Sequence, residues 1–181
     1  MKILLAVDDS RHSEDVVRGL TRFISPAGTE VRIVQVLPAF ALSTPPQMAR
    51  GYAPELEELV KDARALVEKY AEQLRGAGYQ VAATVERGDI RESIVDCAAD
   101  WHADMIMVGS GGHKGVGRLL LGSLTESIVR HAGCSVLIVR APARNNPGRL
   151  IHRLAAVRQG AKPQSRGADT VALRLAHFAG H

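Results

Sequence analysis

The chain has 181 residues, of which 46% are hydrophobic and only 4% aromatic, and this size suits one domain of about 100–150 residues with an extension. A largely aliphatic core is typical of buried parallel strands, and no apolar run approaches the roughly 20 residues of a membrane-spanning helix. The net charge of +4 originates near the C-terminus, because residues 1–140 hold 16 Lys and Arg against 18 Asp and Glu, and residues 141–181 hold 7 against 1. The first 140 residues therefore lack the positive excess of a nucleic-acid-binding domain.

Apolar and amphipathic segments alternate from the start of the chain. Ile3–Val7 is a short apolar run that predicts a buried strand. Because acids follow this run where a signal peptide would have its cleavage site, we expect a cytoplasmic protein. Ser10 is typical of the N-cap of a helix that ends near Ile24. Val31–Leu37 then predicts the second strand.

The alternation continues after a loop that we predict over residues 39–53. Pro54 suits the first position of a long helix, Gln80–Arg87 predicts a third strand, and Asp89 is typical of the N-cap of a third helix. The last predicted elements are a strand at Asp104–Gly109, a helix over residues 124–131 and a strand at Ser135–Arg140.

Strands that alternate with helices require parallel crossovers. The pattern therefore predicts an α/β fold: a doubly wound, five-stranded parallel sheet with helices on both faces. After Arg140 the alternation breaks down. We expect a domain over residues 1–141 and a basic extension over residues 142–181. We expect this extension to be disordered or loosely docked, since its short stretches of helical character, including residues 150–157, would be marginal as isolated helices.

The most informative segment runs from Gly109 to Ser123, between the fourth strand and the last helix. Glycines let a backbone approach a phosphate closely, and the free N–H groups at a helix N-terminus attract anions. Ser123 is suited to capping this helix. Lys114 and Arg118 either add counter-charge or are solvated loop charges. The segment predicts a phosphate site, with a flexible connection as the alternative.

Two familiar phosphate motifs do not match this segment. A Walker A loop has the pattern G-x-x-x-x-G-K-[ST], but Arg118 follows Gly117 here. The dinucleotide fingerprint G-x-G-x-x-G begins at Gly109 and Gly111 and then meets Lys114 in place of the third glycine. The sequence thus indicates neither a P-loop NTPase nor an ordinary NAD-binding domain.

The pattern that does fit is G-x2-G-x9-G-[ST], with Gly109, Gly112, Gly122 and Ser123. With this motif and its order of elements over residues 1–140, the chain resembles the universal stress protein family, specifically its ATP-binding branch. The resemblance implies a Rossmann-like, adenine nucleotide alpha hydrolase-type fold with strand order 3-2-1-4-5. That order places the ends of the first and fourth strands beside a topological switch point, where open sheets bind ligands.

The resemblance also implies which residues contact the cofactor, ATP. Asp8 would lie near the ribose and any Mg²⁺ bound with the nucleotide, with helix capping as the alternative reading, and the backbone of Val36 would face the adenine. The remaining expected contacts come from the loop and from the start of the last helix: Gly109, Gly112, His113, Lys114, Arg118, Gly122, Ser123 and Leu124. We predict no catalytic residue.

These expectations favour an ATP-binding module that acts in a stress response or in regulation through an unidentified protein partner, with at most slow ATP hydrolysis or autophosphorylation. One alternative is an ATP-using enzyme, for example an adenylating one. Such enzymes place their phosphate motif after the first strand, where this chain has no glycine. The other alternative is a dimeric interaction protein that binds no nucleotide.

The last predicted strand indicates how two copies of the chain could associate. Ser135–Val139 is apolar and we expect it at the edge of the sheet, where an unpaired apolar strand is an aggregation hazard. Universal stress proteins commonly pair this strand across a two-fold axis, so the resemblance implies a homodimer. We expect no specific nucleic-acid partner and no membrane partner.

Overall fold

The computed structural model describes residues 1–38, 49–110, 122–140, 153–157 and 174–175. The strands within these ranges are β1 (Lys2–Ala6), β2 (Glu30–Pro38), β3 (Gln80–Gly88), β4 (Met105–Gly109), β5 (Ser135–Arg140), β6 (Arg153–Val157) and β7 (Arg174–Leu175). The helices are α1 (Arg11–Phe23), α2 (Ala49–Gly76), α3 (Ile90–Asp100) and α4 (Ser123–His131). In this part of the chain, no helix has both the length and the apolar composition that crossing a membrane requires.

The strands form one sheet in the order β3-β2-β1-β4-β5-β6-β7. The first five strands in that order are all parallel, which confirms the five-stranded sheet of order 3-2-1-4-5. Leu4 of β1 lies opposite Arg32 of β2 on one side and Ile106 of β4 on the other. The chain winds outward from β1 through β2 to β3 and then resumes at β4, so the switch point lies between β1 and β4.

The side chains of β1 show how helices cover both faces of the sheet. Ile3 and Leu5 belong to a buried cluster that includes residues of α1 and α2, whereas Leu4 belongs to a cluster with residues of α3 and α4. All three side chains are fully buried, and each such burial contributes about 1.5–3 kcal/mol. The alternation of side chains along a strand thus produces the predicted doubly wound arrangement.

The starts of α1 and α3 agree with the sequence predictions, and the start of α2 differs. The Ser10 hydroxyl accepts a hydrogen bond from the backbone N–H of His12, and the Asp89 carboxylate accepts one from the N–H of Glu92, so both predicted N-caps are confirmed. The prediction that Pro54 begins α2 is wrong, because the helix begins at Ala49. Proline lacks the N–H donor, so the longer helix forgoes one hydrogen bond there.

The C-terminal extension differs from the expectation of disorder over two short ranges. Arg153–Val157 forms β6, which pairs antiparallel with β5, and β7 pairs with β6 in turn. The backbone N–H and C=O groups along the outer side of β5 offer hydrogen-bond partners to a neighbouring strand. Pairing with such an edge overrides a weak helical pattern in a short segment. The expectation that β5 is the open edge is therefore wrong. The division at residue 141 stays a prediction, and the rest of the extension lies outside the described residues.

Candidate functional site

The carboxyl ends of β1 and β4 lie side by side, and a close approach of α1 fixes the end of β4. A Cβ atom added to Gly109 would lie 3.1 Å from the Cβ of His12 and 3.6 Å from its carbonyl oxygen. The Thr125 hydroxyl donates a hydrogen bond to the carbonyl oxygen of Gly109 at 3.0 Å. The missing side chain of Gly109 thus allows α1 to pack closely on the end of β4, and Thr125 of α4 is hydrogen-bonded directly to that end.

Backbone hydrogen bonds join the two ends of the glycine loop. The N–H of Gly122 donates to the carbonyl oxygen of Ser110 at 3.2 Å, and the N–H of Ser110 donates to that of Val139 at 2.9 Å. The start of α4 is therefore held against the ends of β4 and β5. Four predicted site residues between these ends lie outside the described residues, and their roles stay predictions: Gly112, His113, Lys114 and Arg118.

The N-terminus of α4 has no side-chain cap. Its N-cap is Gly122, at φ −62° and ψ 149°, and among the residues that the structure describes no side-chain capping hydrogen bond is made there. The prediction that Ser123 caps the helix is wrong, because Glu126 N–H donates to the carbonyl oxygen of Gly122 and Ser123 is the first helical residue. The first-turn N–H groups, including those of Ser123 and Leu124, have no partner within the helix and can bind an anion.

Asp8 follows β1 and is held by hydroxyl groups at the start of α1. Its Oδ1 accepts hydrogen bonds from the backbone N–H and hydroxyl of Ser10 and from the hydroxyl of Ser13, the last at 2.6 Å. Partial burial raises the pKa of Asp8, but these hydrogen bonds lower it more, so its pKa lies below the ordinary value. The carboxylate is therefore ionised near neutral pH.

The second oxygen of Asp8 has no hydrogen-bond partner among the described residues, because all the bonds to this carboxylate end on Oδ1. A free carboxylate oxygen suits a Mg²⁺ ion that nucleotide phosphates and water also hold, or a ribose hydroxyl. In the described part of the chain, no group of three or more His, Cys, Asp and Glu residues could hold a metal by itself. Asp8 thus fits a metal that arrives with its ligand.

Val36 lies where β2 extends beyond the end of β1. The pairing of β1 with β2 ends at Ala6 opposite Val34, and the N–H of Val7 donates to the carbonyl oxygen of Val34 at 3.0 Å. Alternate residues of a strand turn their backbone groups to the same side. The N–H and C=O of Val36 therefore point to the side that β1 has left, where a planar base with donors and acceptors could pair with them.

A cavity of about 540 Å³ opens beside the start of α4. It lies between the ends of β2 and β3 and the first turns of α3 and α4. Leu124 is 40% exposed and contributes an apolar part of its wall. The lining residues are Pro38, Gly88, Asp89, Ile90, Arg91, Ser123, Leu124 and Ser127. Its size is ordinary for a small-molecule site.

Comparison with known proteins now identifies the family. Residues 1–140 match the Universal stress protein family. The chain belongs to this family. Over 149 residues it is 28% identical to Universal stress protein Sll1388 of Synechocystis sp. (strain ATCC 27184 / PCC 6803 / Kazusa), and the match covers 77% of this chain and 97% of that relative.

Solved structures of the same fold include members of the family with nucleotides bound. Hypothetical protein MJ0577 matches with a TM-score of 0.69 at 26% identity, covering 80% of this chain and 97% of that one. A universal stress protein from Archaeoglobus fulgidus in complex with dAMP and a family protein from Arabidopsis thaliana with AMP bound each match with a TM-score of 0.57, at 20% and 18% identity. These two cover 76% and 82% of this chain and 96% of their own chains, and they share its fold.

In this universal stress protein the structure adds cavity residues that the sequence did not indicate. Pro38, Ile90 and Ser127 line the cavity with Ser123 and Leu124, although they are far apart in the chain and belong to no motif. Their only sequence signal is their position after a strand or in the first turns of a helix, which becomes informative once the strand order is known.

Proposed function

We propose that this universal stress protein binds ATP together with Mg²⁺ at the carboxyl edge of the sheet, between β1, β4 and α4. The observation that carries the proposal is the N-terminus of α4, whose N-cap is a glycine and whose first residues, Ser123 and Leu124, line a cavity. A capping side chain would occupy the N–H groups that phosphate oxygens need. Here the N-cap is a glycine, which has no side chain to occupy those groups.

The proposal assigns a group of the protein to each part of the nucleotide. The phosphates take the N–H groups and hydroxyl at the start of α4, and the loop residues Gly112, His113, Lys114 and Arg118 complete this contact. Asp8 takes the ribose or Mg²⁺ through its free oxygen. Val36 offers backbone groups to the adenine. Relatives of the same fold with dAMP and AMP bound support an adenine nucleotide as the ligand.

The regulatory part of the proposal rests on membership of the family and on the sequence, which predicts no catalytic residue for ATP hydrolysis. ATP occupancy alters the conformation of the loop and thereby the affinity for a protein partner in a cytoplasmic stress response. A second copy of the chain is one such partner, which pairs through β5 once β6 has left that edge.

A titration of the full chain with Mg-ATP tests nucleotide binding, with variant Gly122→Val as the decisive comparison. The valine side chain would project where the phosphates approach, so we expect binding to be abolished in a protein with an unchanged circular dichroism spectrum. Gly133→Val is the matched control, because a Cβ at Gly133, beyond the other end of α4, would meet no atom within 4 Å. Unchanged affinity in folded Gly122→Val would exclude this phosphate site.

Titrations of the unmodified chain with ADP, AMP and GTP, each with and without Mg²⁺, separate the finer parts of the proposal. We expect the highest affinity for Mg-ATP, because the third phosphate adds charge-assisted hydrogen bonds. Equal affinity for AMP and ATP would mean that the start of α4 does not hold the terminal phosphates. Equal affinity for GTP would mean that Val36 does not select the base.

A further inference from the structure

Gln35 carries a buried polar atom that the fold leaves without a partner. Among the residues that the structure describes, its Oε1 is the only buried side-chain oxygen or nitrogen that makes no hydrogen bond. Burying a polar group without a hydrogen bond costs free energy, and buried polar atoms in native proteins nearly always have a partner. The presence of a glutamine at this position therefore needs an explanation beyond the packing of the core.

Gln35 lies in β2 at the point where β1 ends. The pairing of the two strands stops at Ala6 opposite Val34, and the N–H of Val7 donates to the carbonyl oxygen of Val34. Val34 is buried, whereas Gln35 and Val36 are both partly exposed. The end of β1 thus leaves an opening beside Gln35 as well as beside Val36.

The exposed part of Gln35 belongs to its side chain. Because backbone groups alternate along a strand, those of Gln35 turn toward β3, where it lies opposite Val85. The side chain lies on the same face of the sheet as that of Ile33, which packs with residues of α1 and α2. Asp8 is held on that face too, since Ser13 of α1 donates a hydrogen bond to its Oδ1. Gln35 and Asp8 therefore flank the end of β1 on the same face.

A buried water molecule is a poor partner for this amide. Gln35 lies opposite Val85, which packs against a small buried cluster of Leu37 from β2 with Val60 and Ala63 from α2. A buried water molecule needs about two to four polar partners, and these four side chains offer none. The remaining source of a hydrogen bond is the opening at the end of β1, where a ligand can reach the amide once its soft terminal torsion turns.

We propose that Gln35 is a ribose-binding residue of the nucleotide site, an inference that rests on the proposed function. Gln35 lies between Val36, which is assigned to the adenine, and Asp8, which is assigned to the ribose or Mg²⁺. The amide of glutamine has an oxygen that accepts and an NH₂ group that donates, and a ribose hydroxyl likewise both donates and accepts. The two groups therefore match whichever way the amide is turned.

This assignment predicts opposite effects of Gln35 on stability and on binding. In the ligand-free chain the glutamine is destabilising, since an apolar side chain of the same length would pack on Leu37 and Val85 without an orphaned oxygen. In the complex the same amide contributes to affinity, because the ribose hydroxyl supplies the missing partner. A glutamine with a purely structural role would instead lose stability on replacement.

The test is Gln35→Met in the full chain, because methionine has a similar length and volume and no amide. The midpoint of thermal unfolding of the ligand-free protein should rise by a few degrees. Titration calorimetry with Mg-ATP should show about fivefold weaker binding. Gln80→Met is the matched control: Gln80 is exposed at the start of β3, so we expect neither change there.

The Mg²⁺ complexes of 2′-deoxy-ATP and 3′-deoxy-ATP identify the contact. The unmodified chain should bind one of the two about fivefold more weakly than it binds Mg-ATP, and Gln35→Met should cause no further loss for that analogue. An equal loss for ATP and for both analogues in Gln35→Met would overturn the assignment to the ribose. Unchanged affinity of Gln35→Met for Mg-ATP would overturn it as well.

Gln35→Leu repeats the test if Gln35→Met does not fold. A lower midpoint of thermal unfolding in a folded variant, or failure of both variants to fold, would mean that the fold requires the amide, and would also overturn the proposal. All of these failures leave Mg-ATP binding by the unmodified chain intact. Absence of binding by the unmodified chain would instead refute the proposed function, and the role of Gln35 with it.

Discussion

The first turns of α3 and α4 line the same cavity, yet their N-termini are built differently. At α3 the Asp89 carboxylate accepts the N–H of Glu92 at 2.9 Å, so the helix is capped by its own chain. At α4 the N-cap is Gly122, and within the described ranges no side chain takes the role that Asp89 has at α3. A helix with no need of a ligand gains stability from a capping side chain. At α3 a side chain of the protein thus accepts a first-turn N–H group, whereas at α4 the first-turn N–H groups beside the cavity are available to a ligand.

Transferring the α3 cap to α4 should have the largest effect. In Gly122→Asp the new carboxylate accepts first-turn N–H groups and repels phosphate. Loss of two charge-assisted hydrogen bonds, at about 1.5 kcal/mol each, corresponds to about a 100-fold weaker affinity for Mg-ATP. The midpoint temperature of thermal unfolding should stay the same or rise, because an acidic side chain at a helix N-terminus is stabilising.

Titration calorimetry and circular dichroism measure the two effects of Gly122→Asp separately. Gly122→Asn is the matched variant: it places a neutral cap of the same size on the same N–H groups, and should weaken binding less than the aspartate does. If Gly122→Asp binds Mg-ATP as the unmodified chain does, the contrast between α3 and α4 has no bearing on the ligand.

A smaller effect is expected at Asp8, on the opposite side of the proposed nucleotide. In Asp8→Asn the Oδ1 position still accepts from Ser10 and Ser13, so the start of α1 keeps its geometry. The charge available to Mg²⁺ is lost, and we expect about tenfold weaker binding of Mg-ATP. Binding measured with EDTA in place of Mg²⁺ should differ less between the two proteins. An equal loss under both conditions would contradict the metal role.

The pKa of Asp8 gives this substitution a dependence on pH. Because its pKa in the folded chain is below the ordinary value, the ionised carboxylate stabilises the fold above the unfolded-state pKa of about 3.9. That contribution is lost as the pH falls through the lower, folded-state value. The free energy of unfolding measured in urea should therefore be higher for the unmodified chain than for Asp8→Asn at pH 6. The two values should converge in acid.

The outcome of the sequence predictions depends on whether the deciding interactions are local. Ser10 and Asp89 were predicted as N-caps because a capping side chain and the helix it caps are neighbours in the chain. The five parallel strands were predicted because apolar runs between amphipathic segments are local patterns, and the family resemblance supplied their order. Pro54 misled for the same reason: its local preference for a first helical position does not exclude a place further along the helix.

Interactions between distant parts of the chain could not be predicted. The strand β6 forms because β5 offers an edge, and nothing within Arg153–Val157 records that neighbour. The cavity likewise depends on which strand ends become adjacent, so Pro38 and Ser127 carried no signal. Gly109 was predicted as a site residue, but its close packing on His12 depends on how α1 lies across β4. The hydrogen bond between Gly122 and Ser110 at the ends of the glycine loop, and the glycine N-cap of α4, likewise required the three-dimensional structure.

The smallest expected effect comes from removing the cap at α3. Asp89→Ala deletes the carboxylate that accepts from Glu92 and pairs with the Arg91 guanidinium, whose Nε lies 3.7 Å from it. The N-terminus of α3 loses one acceptor, so the midpoint of thermal unfolding should fall by a few degrees. Affinity for Mg-ATP should stay within about twofold, because the proposed phosphate site lies at α4 and not at α3.

The control for Asp89→Ala is Asp89→Asn, which keeps a capping acceptor and should restore most of the lost thermal stability without any change in affinity. Paired with Gly122→Asp, the two α3 variants complete the comparison, since a change at one helix start alters stability and a change at the other alters binding. If Asp89→Ala weakened Mg-ATP binding as strongly as Gly122→Asp, both helix termini would face the phosphates. The cavity between them would then hold the triphosphate itself, and the free N–H groups of α4 would be one half of the site.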